Sequence, residues 1–131
     1  MKQVVKLVII DKDGSYLLLY RGNHPVFGND PDLPGGKVEA GETVLQALGR
    51  EVQEEISVSI DKAKTEEVYS GTGYSAKGTQ YSLFITRTED KPKIIMSWEH
   101  SSYEWLEREI FLNKAKNAND IYMHMVYDVL K

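Results

Sequence analysis

The sequence predicts an α/β sandwich formed by a single domain, residues 1–131. Three observations support this prediction. Short runs rich in β-branched residues lie on both sides of a central helical segment. The two amphipathic helical segments, near residues 43–56 and 119–130, are far apart and do not alternate regularly with strands, which argues against a wound parallel sheet. A chain of 131 residues is also a suitable size for one hydrophobic core.

The N-terminal segment predicts a β-hairpin. Residues 4–10 are rich in valine and isoleucine and predict a buried strand. Residues 11–14 predict a turn in which Gly14 adopts a positive φ, and residues 16–20 predict the second strand. Residues 22–34 contain three prolines together with glycine, asparagine and aspartate, and predict a long loop. Loops of this length in compact domains are often functional.

A central helix is predicted to begin after Thr43 and to end at residue 55 or 56. Thr43 is a suitable N-cap, and Gln46 three positions later completes a capping box. Apolar residues recur at helical spacing and predict the side that faces the core. These residues are Leu45, Leu48, Val52 and Ile56.

Further strands are predicted over residues 67–71, 80–86, 93–96 and 101–106. The C-terminal segment from Asn119 to Leu130 predicts a helix packed on the sheet, because its apolar residues follow a helical spacing. The expected sheet is therefore flanked by two helices.

Composition excludes several classes of function. The net charge of −4 and the pI near 5.4 argue against bulk nucleic-acid binding, which depends on a basic surface. The absence of cysteine excludes disulfides, thiol catalysis and zinc–thiolate sites. The apolar run at residues 4–10 is too short for a membrane span and lacks a signal-peptide cleavage region. We therefore expect a cytoplasmic protein with no membrane partner.

The segment REVQEE, residues 50–55, places three carboxylates on one face of the central helix. Glu51, Glu54 and Glu55 lie at positions i, i+3 and i+4, so their like charges repel each other. A solvated helix face is the simplest explanation for this pattern. Alternatively, a divalent cation would relieve the repulsion, and oxygen ligands of this kind suit Mg²⁺ or Mn²⁺. Gly35 and Gly36 precede the helix, where they indicate either a tight turn or a close backbone approach to a ligand.

Residues 36–58, GKVEAGETVLQALGREVQEEISV, resemble the Nudix box. The positions in register are Gly36, Glu42, Arg50, Glu51, Val52, Glu54, Glu55 and Val58. Leu33-Pro34-Gly35 also resembles the usual segment before the box. Ser57 departs from the pattern, because the family has glycine there. Serine in a left-handed helix end costs about 1 kcal/mol, unless the helix ends in another way.

The resemblance implies the Nudix fold, an α/β/α sandwich around a mixed β-sheet, and Mg²⁺-dependent hydrolysis of a nucleoside diphosphate linked to another group. It implies that Mg²⁺, with Mn²⁺ as a substitute, is held by Glu51, Glu54, Glu55 and the Gly35 carbonyl. Glu99, in a segment that resembles a later family loop, is a further candidate ligand. Glu51 is the first candidate for the general base, and Glu99 is the second.

Two other box residues are expected to support the site. The resemblance implies that Glu42 acts through water or hydrogen bonds. Arg50, which we include among the catalytic candidates, is expected to orient a box glutamate through a charge-assisted pair.

The sequence says less about the substrate. Phe27 and Tyr74 are candidates for stacking on a base, and Arg21 is a candidate for phosphate binding. The short chain resembles mutator-type nucleoside triphosphate pyrophosphohydrolases, with dinucleoside polyphosphates or nucleotide sugars as the alternative substrates. No proline lies between Pro34 and Pro92, which weighs against ADP-ribose. A non-catalytic, nucleotide-sensing Nudix domain is the alternative to an enzyme, and a homodimer remains open.

Overall fold

The chain folds around one mixed β-sheet with helices on both faces. The structure, a computed structural model, describes residues 2–22 and 29–131. The strands in this part of the chain are β1 (Gln3–Ile10), β2 (Tyr16–Tyr20), β3 (Pro31–Asp32), β4 (Gly35–Lys37), β5 (Thr65–Gly71), β6 (Gln80–Arg87) and β7 (Ser102–Leu106). The helices are α1 (Val44–Ile56), α2 (Arg108–Lys116) and α3 (Ile121–Leu130), with a 3₁₀ turn at Lys62–Lys64.

Strand β1 is the centre of the sheet. It pairs in parallel with β6 and antiparallel with both β2 and β4. The main strand order is β3-β2-β1-β6-β5, with β4 on β1 and β7 on β2. The antiparallel pairing of β1 with β2 confirms the predicted hairpin, and the mixture of parallel and antiparallel pairs confirms the predicted mixed sheet.

Alternation along β1 divides the core into two layers. Val5, Leu7 and Ile9 point to the layer that contains the apolar side of α1. Val8 and Ile10 point to the opposite layer, which contains apolar side chains of α2 and α3. Successive side chains of a strand point to opposite faces, so a strand covered on both faces is apolar almost throughout. This arrangement is the predicted sandwich.

Helix α1 begins at a capping box and ends at a residue in the left-handed conformation. The Thr43 side chain accepts a hydrogen bond from the Gln46 amide, and the Gln46 side chain accepts one from the Thr43 amide, which confirms the capping box. At the other end Ser57 adopts a left-handed conformation with φ 58° and ψ 37°. The helix therefore ends as the family glycine would end it, although serine occupies the position.

The structure corrects several sequence-based expectations. The predicted strand at 93–96 is absent, because Ile95 and Ser97 donate their amides to the carbonyls of Ile56 and Glu55 at the end of α1. The expected loop at 22–34 contains the short strand β3. Gly35 and Gly36 lie in β4 and form no tight turn.

Helix α2 was not predicted. Its short sequence is mostly polar, and it packs on the sheet through Phe111, Leu112 and Ala115. The described part of the chain has no helix that is both long enough and apolar enough to cross a membrane.

Candidate active site

A cleft of about 900 Å³ lies beside β1, β4 and α1 and is also bordered by residues 98–101. Its volume lies within the range of small-molecule sites in proteins. The cleft is rich in charge of both signs. Its acidic lining residues are Asp32, Glu51, Glu54, Glu55 and Glu99, and its basic lining residues are Lys2, Lys6, Arg21 and Lys37.

Gly35 and Gly36 allow β4 to pass closely between β1 and α1. Gly35 has a φ of +142°, and a Cβ atom there would lie 2.0 Å from the carbonyl oxygen of Val5. A Cβ atom on Gly36 would lie 2.5 Å from the carboxyl carbon of Glu51. Real Cβ contacts are never this short. Glycine is therefore required at position 35, where the neighbour is backbone, whereas a side chain at position 36 would displace the carboxylate of Glu51, a candidate metal ligand.

Glu55 is the most deeply buried of the box glutamates, with 4% of its surface exposed. Its Oε1 accepts a hydrogen bond from the Gly35 amide at 2.8 Å. Burial raises the pKa of Glu55 to about 8, and the negative charges of Asp32 and Glu99 act in the same direction. An ionised carboxylate is therefore costly here unless a cation lies nearby.

Arg50 connects Glu42 to the acidic face of α1. Its Nε and Nη2 donate to the two oxygens of the Glu42 carboxylate at 2.7 and 3.0 Å. Its Nη1 donates to Glu51 Oε1 at 2.9 Å and makes a longer contact, 3.4 Å, with Glu54. Such a bidentate contact with Glu42 fixes both the position and the orientation of the Arg50 guanidinium. The expected pairing of Arg50 with a box glutamate is thus present.

Glu51, Glu54 and Glu99 share the cleft at short electrostatic range. Burial raises the pKa of Glu51, and the charges of Glu54 and Glu99 raise it further, against the opposing effect of Arg50. The side chain of Glu54 is 58% exposed, and Glu99 is also exposed. The structure therefore brings the four predicted carboxylates to one cleft, two of them buried or half-buried and two open to solvent.

The donor set fits a hard divalent cation. Within residues 2–22 and 29–131, no three acidic or histidine side chains already converge on one point closely enough to hold an ion. The present contacts explain this, because Glu51 faces Arg50 and Glu55 accepts from the Gly35 amide. All four carboxylates supply the oxygen ligands that Mg²⁺ prefers. A cation among them would stabilise the ionised forms of Glu51 and Glu55, whose pKa values are raised first by burial and then by repulsion from neighbouring carboxylates.

The domain family described as NUDIX matches residues 2–126 of this chain, nearly its whole length. The chain belongs to the Nudix family. The resemblance predicted from residues 36–58 is therefore confirmed.

Two curated relatives match parts of the chain. An ADP-ribose pyrophosphatase from Methanocaldococcus jannaschii is 43% identical over 76 residues, which cover 57% of this chain and 44% of the relative. An 8-oxo-dGTP diphosphatase from Haemophilus influenzae is 43% identical over 56 residues, which cover 43% of this chain and 41% of the relative. The matches thus span less than half of either relative. Their names describe hydrolases of nucleoside diphosphate derivatives.

The fold is also that of solved Nudix-type structures. The Deinococcus radiodurans protein DR0079 superposes with a TM-score of 0.79 at 24% identity, covering 98% of this chain and 83% of that one. At this identity the likeness concerns the fold alone. It confirms the predicted sandwich around a mixed sheet.

The predicted substrate-binding residues of this Nudix domain lie in different places. Arg21 lines the cleft, where its Nη2 contacts Asp120 at 2.7 Å and Asp32 at 3.3 Å. Tyr74 lies between β5 and β6, away from the residues that line the cleft, and its hydroxyl donates to Asp128 at 2.6 Å. Phe27 lies outside the described residues. Of the two that the structure describes, Arg21 lines the cleft and Tyr74 does not.

Sequence reasoning missed a buried polar network at the floor of the cleft. Asp32 Oδ1 accepts from Lys6 Nζ at 3.1 Å and from the Tyr122 hydroxyl, and Asp32 Oδ2 contacts His100 Nε2 at 2.9 Å. We call Lys6, Arg21, Asp32, His100 and Tyr122 the Asp32 network. A signal was available, because Lys6 interrupts the apolar run of β1 and a buried lysine requires an anionic partner.

Proposed function

We propose that this Nudix domain is a Mg²⁺-dependent hydrolase that cleaves a diphosphate bond in a nucleoside diphosphate derivative. One observation carries the proposal. The box glutamates Glu51, Glu54 and Glu55 line a single cleft together with Glu99, and this cleft also contains basic side chains. An anionic diphosphate is repelled by such an acidic face unless cations lie between them. Hydrolysis, and not simple nucleotide sensing, is favoured because every box glutamate is present.

Glu51, Glu54 and Glu55 are the proposed ligands of Mg²⁺, with Glu99 and the Gly35 carbonyl as further ligands. When bound, Mg²⁺ would neutralise the diphosphate and make a water molecule more acidic. A carboxylate must accept the proton of the attacking water. Glu51 is the first candidate for this base, because burial raises its pKa and Arg50 fixes its orientation. Glu99 is the second.

Arg50 and Glu42 have a positioning role in this proposal. Arg50 holds Glu51 from one side, while both Glu42 oxygens hold the guanidinium from the other. The guanidinium also donates to the carbonyl of Lys37 at the end of β4. The arrangement therefore fixes the acidic face of α1 relative to the strand that carries Gly35.

A nucleoside triphosphate is the first proposed substrate, cleaved to the monophosphate and pyrophosphate. The match to an 8-oxo-dGTP diphosphatase supports this class. ADP-ribose is the second candidate, because the longer match is to an ADP-ribose pyrophosphatase. Dinucleoside polyphosphates and nucleotide sugars contain the same diphosphate linkage and complete the set.

The test is hydrolysis of a nucleotide panel with and without Mg²⁺, with chromatographic identification of the products. The panel contains canonical and oxidised nucleoside triphosphates, ADP-ribose, diadenosine polyphosphates and nucleotide sugars. Metal-dependent release of a monophosphate and pyrophosphate supports the first candidate, and AMP with ribose 5-phosphate supports the second. A folded protein that binds Mg²⁺ and nucleotides but hydrolyses none of them would contradict the proposal.

A further inference from the structure

Trp98 is the most exposed large hydrophobic side chain in the described part of the chain. It is 92% exposed, whereas the next most exposed, Ile95, is 54% exposed. Trp98 also lines the cleft. An indole that remains in water forgoes the stabilisation that burial of its large apolar area would give. Its position at the cleft therefore requires an explanation beyond folding.

The backbone on both sides of Trp98 is firmly attached to the rest of the fold. The Ser97 amide donates to the Glu55 carbonyl at 2.8 Å, and the Ser101 amide donates to the Tyr20 carbonyl at 2.8 Å. Between them, buried His100 contacts Asp32. Contacts made within three residues of Trp98 therefore hold its backbone beside the cleft.

Trp98 also lies next to the carboxylates proposed to handle the diphosphate. It directly precedes Glu99, and the hydrogen bond from Ser97 ties its other neighbour to Glu55. In a nucleoside diphosphate derivative, the base is separated from the diphosphate by one sugar. Trp98 and these glutamates line the same cleft, so one bound ligand could place its base at the indole and its diphosphate at the carboxylates.

We propose that Trp98 is the platform on which the nucleobase of the substrate stacks. The inference rests on the proposed function, because it assumes a ligand with both a diphosphate and a base. Stacking on an aromatic ring suits every base, since each has a flat π face. The indole offers the largest such surface among protein side chains. Among the described residues that line the cleft, the others are largely charged and offer no comparable apolar face.

The first test measures binding without turnover. The chain has two tryptophans, so Trp105→Phe leaves Trp98 as the only indole. This variant is titrated with AMP or GMP and with ribose 5-phosphate, which has the sugar and phosphate but no base. We expect the nucleotides to quench the fluorescence and to bind roughly 5- to 140-fold more tightly than ribose 5-phosphate. Equal affinities with no quenching would overturn the proposal.

The second test compares three variants. Trp98→Ala is expected to raise KM for the hydrolysed nucleotide by roughly 5- to 140-fold with little change in kcat, because stacking stabilises the bound substrate and the transition state alike. Trp98→Phe should retain most of the affinity. Tyr103→Ala, at a half-exposed aromatic on β7 away from the cleft, is the control and should keep the original KM.

The two tests separate this inference from the proposed function. Hydrolysis by Trp98→Ala with an unchanged KM would overturn the stacking role and leave the hydrolase intact. Base-dependent quenching in a chain that hydrolyses nothing would support the stacking role and contradict the hydrolase.

Discussion

Glu54 is the box glutamate that can be changed with the least effect on folding. Its side chain is 58% exposed, and its contact with Arg50 is long at 3.4 Å. We expect Glu54→Gln to weaken Mg²⁺ binding and to lower kcat/KM by more than the roughly 10- to 100-fold that loss of an outer-shell partner costs. Mg²⁺ titration calorimetry and steady-state kinetics measure the two effects.

Glu67→Gln is the matched control for this experiment. Glu67 is exposed on β5 and lies away from the cleft, so the same loss of charge there should leave metal binding and turnover unchanged. The unfolding free energy of both variants should stay within about 0.5 kcal/mol of the original, as for most surface substitutions. Near-normal turnover of Glu54→Gln at saturating Mg²⁺ would contradict its assignment as a metal ligand.

Ser57 bears a conformational cost that the family glycine would avoid. Its φ of 58° lies in the left-handed region, where a Cβ atom meets the following carbonyl oxygen. We expect Ser57→Gly to raise the free energy of unfolding by about 1 kcal/mol. Urea denaturation measures the change. Ser57→Ala keeps a Cβ atom and should give no such gain, and equal gains in both variants would rule out this explanation.

At the scale of single elements, α1 could be predicted from sequence because its determinants are local. The Thr43 capping box, the apolar side and the acidic face all lie within about fourteen residues of one another. Helix α2 lacks such signals, since its mean hydropathy is low and Glu107 at its N-cap makes no side-chain hydrogen bond. Tertiary packing of Phe111 and its neighbours decides that element.

The strand predicted at 93–96 is wrong for a related reason, because tertiary contacts decide the structure of this segment. Its composition alone is typical of a strand, whereas the carbonyls at the end of α1 provide its actual hydrogen-bond partners. Local sequence patterns also could not predict the Asp32 network. Its contacts join residues 11 to 90 positions apart in the sequence.

The Asp32 network joins β1, β3 and α3 to the connecting segments that contain Arg21 and His100, and its charge should make stability depend on pH. Burial opposes ionisation of Asp32, but the charge of Lys6 and the hydrogen bond from His100 hold the pKa of that carboxyl well below its usual range. Because the folded-state pKa is lowered, the stabilisation is complete above the unfolded value of about 3.9. It is lost progressively as pH falls below that value.

We therefore expect Asp32→Asn to destabilise the fold by about 3–5 kcal/mol at neutral pH, since it leaves Lys6 buried without its anionic partner. Asparagine does not titrate, so the difference between the two proteins should narrow as pH falls below about 4. Urea denaturation of both proteins at several pH values provides the comparison. A difference that stays constant down to pH 2 would show that Asp32 does not contribute through its charge.

For the molecule as a whole, the sandwich places an acidic helix face and a basic strand residue on one cleft. Strand β1 supplies Lys6 at its centre, while α1 presents its glutamates from the neighbouring layer. Strand β4 lies between them and approaches both closely through its glycines. The charges that repel one another in the cleft are therefore held there by the packing of both core layers, and this packing opposes their separation.

Because packing holds together carboxylates that repel one another, we expect bound Mg²⁺ to stabilise the entire fold. A ligand that binds only the folded state at 100 times its Kd adds about 2.7 kcal/mol to the free energy of unfolding. We therefore expect the thermal midpoint of unfolding to rise as the Mg²⁺ concentration increases above its Kd. Chelation of the metal should reverse the rise.

Screening by salt also weakens repulsion between charges, so the control replaces MgCl₂ with KCl at equal ionic strength. Glu54→Gln should show a much smaller rise in thermal midpoint with Mg²⁺, because it lacks one proposed ligand, and Glu67→Gln should respond fully. A rise of the same size in KCl, or in Glu54→Gln, would mean that the ion acts by screening alone. A rise specific to Mg²⁺ and dependent on Glu54 would place the ion at the acidic face of α1, independently of any assay of hydrolysis.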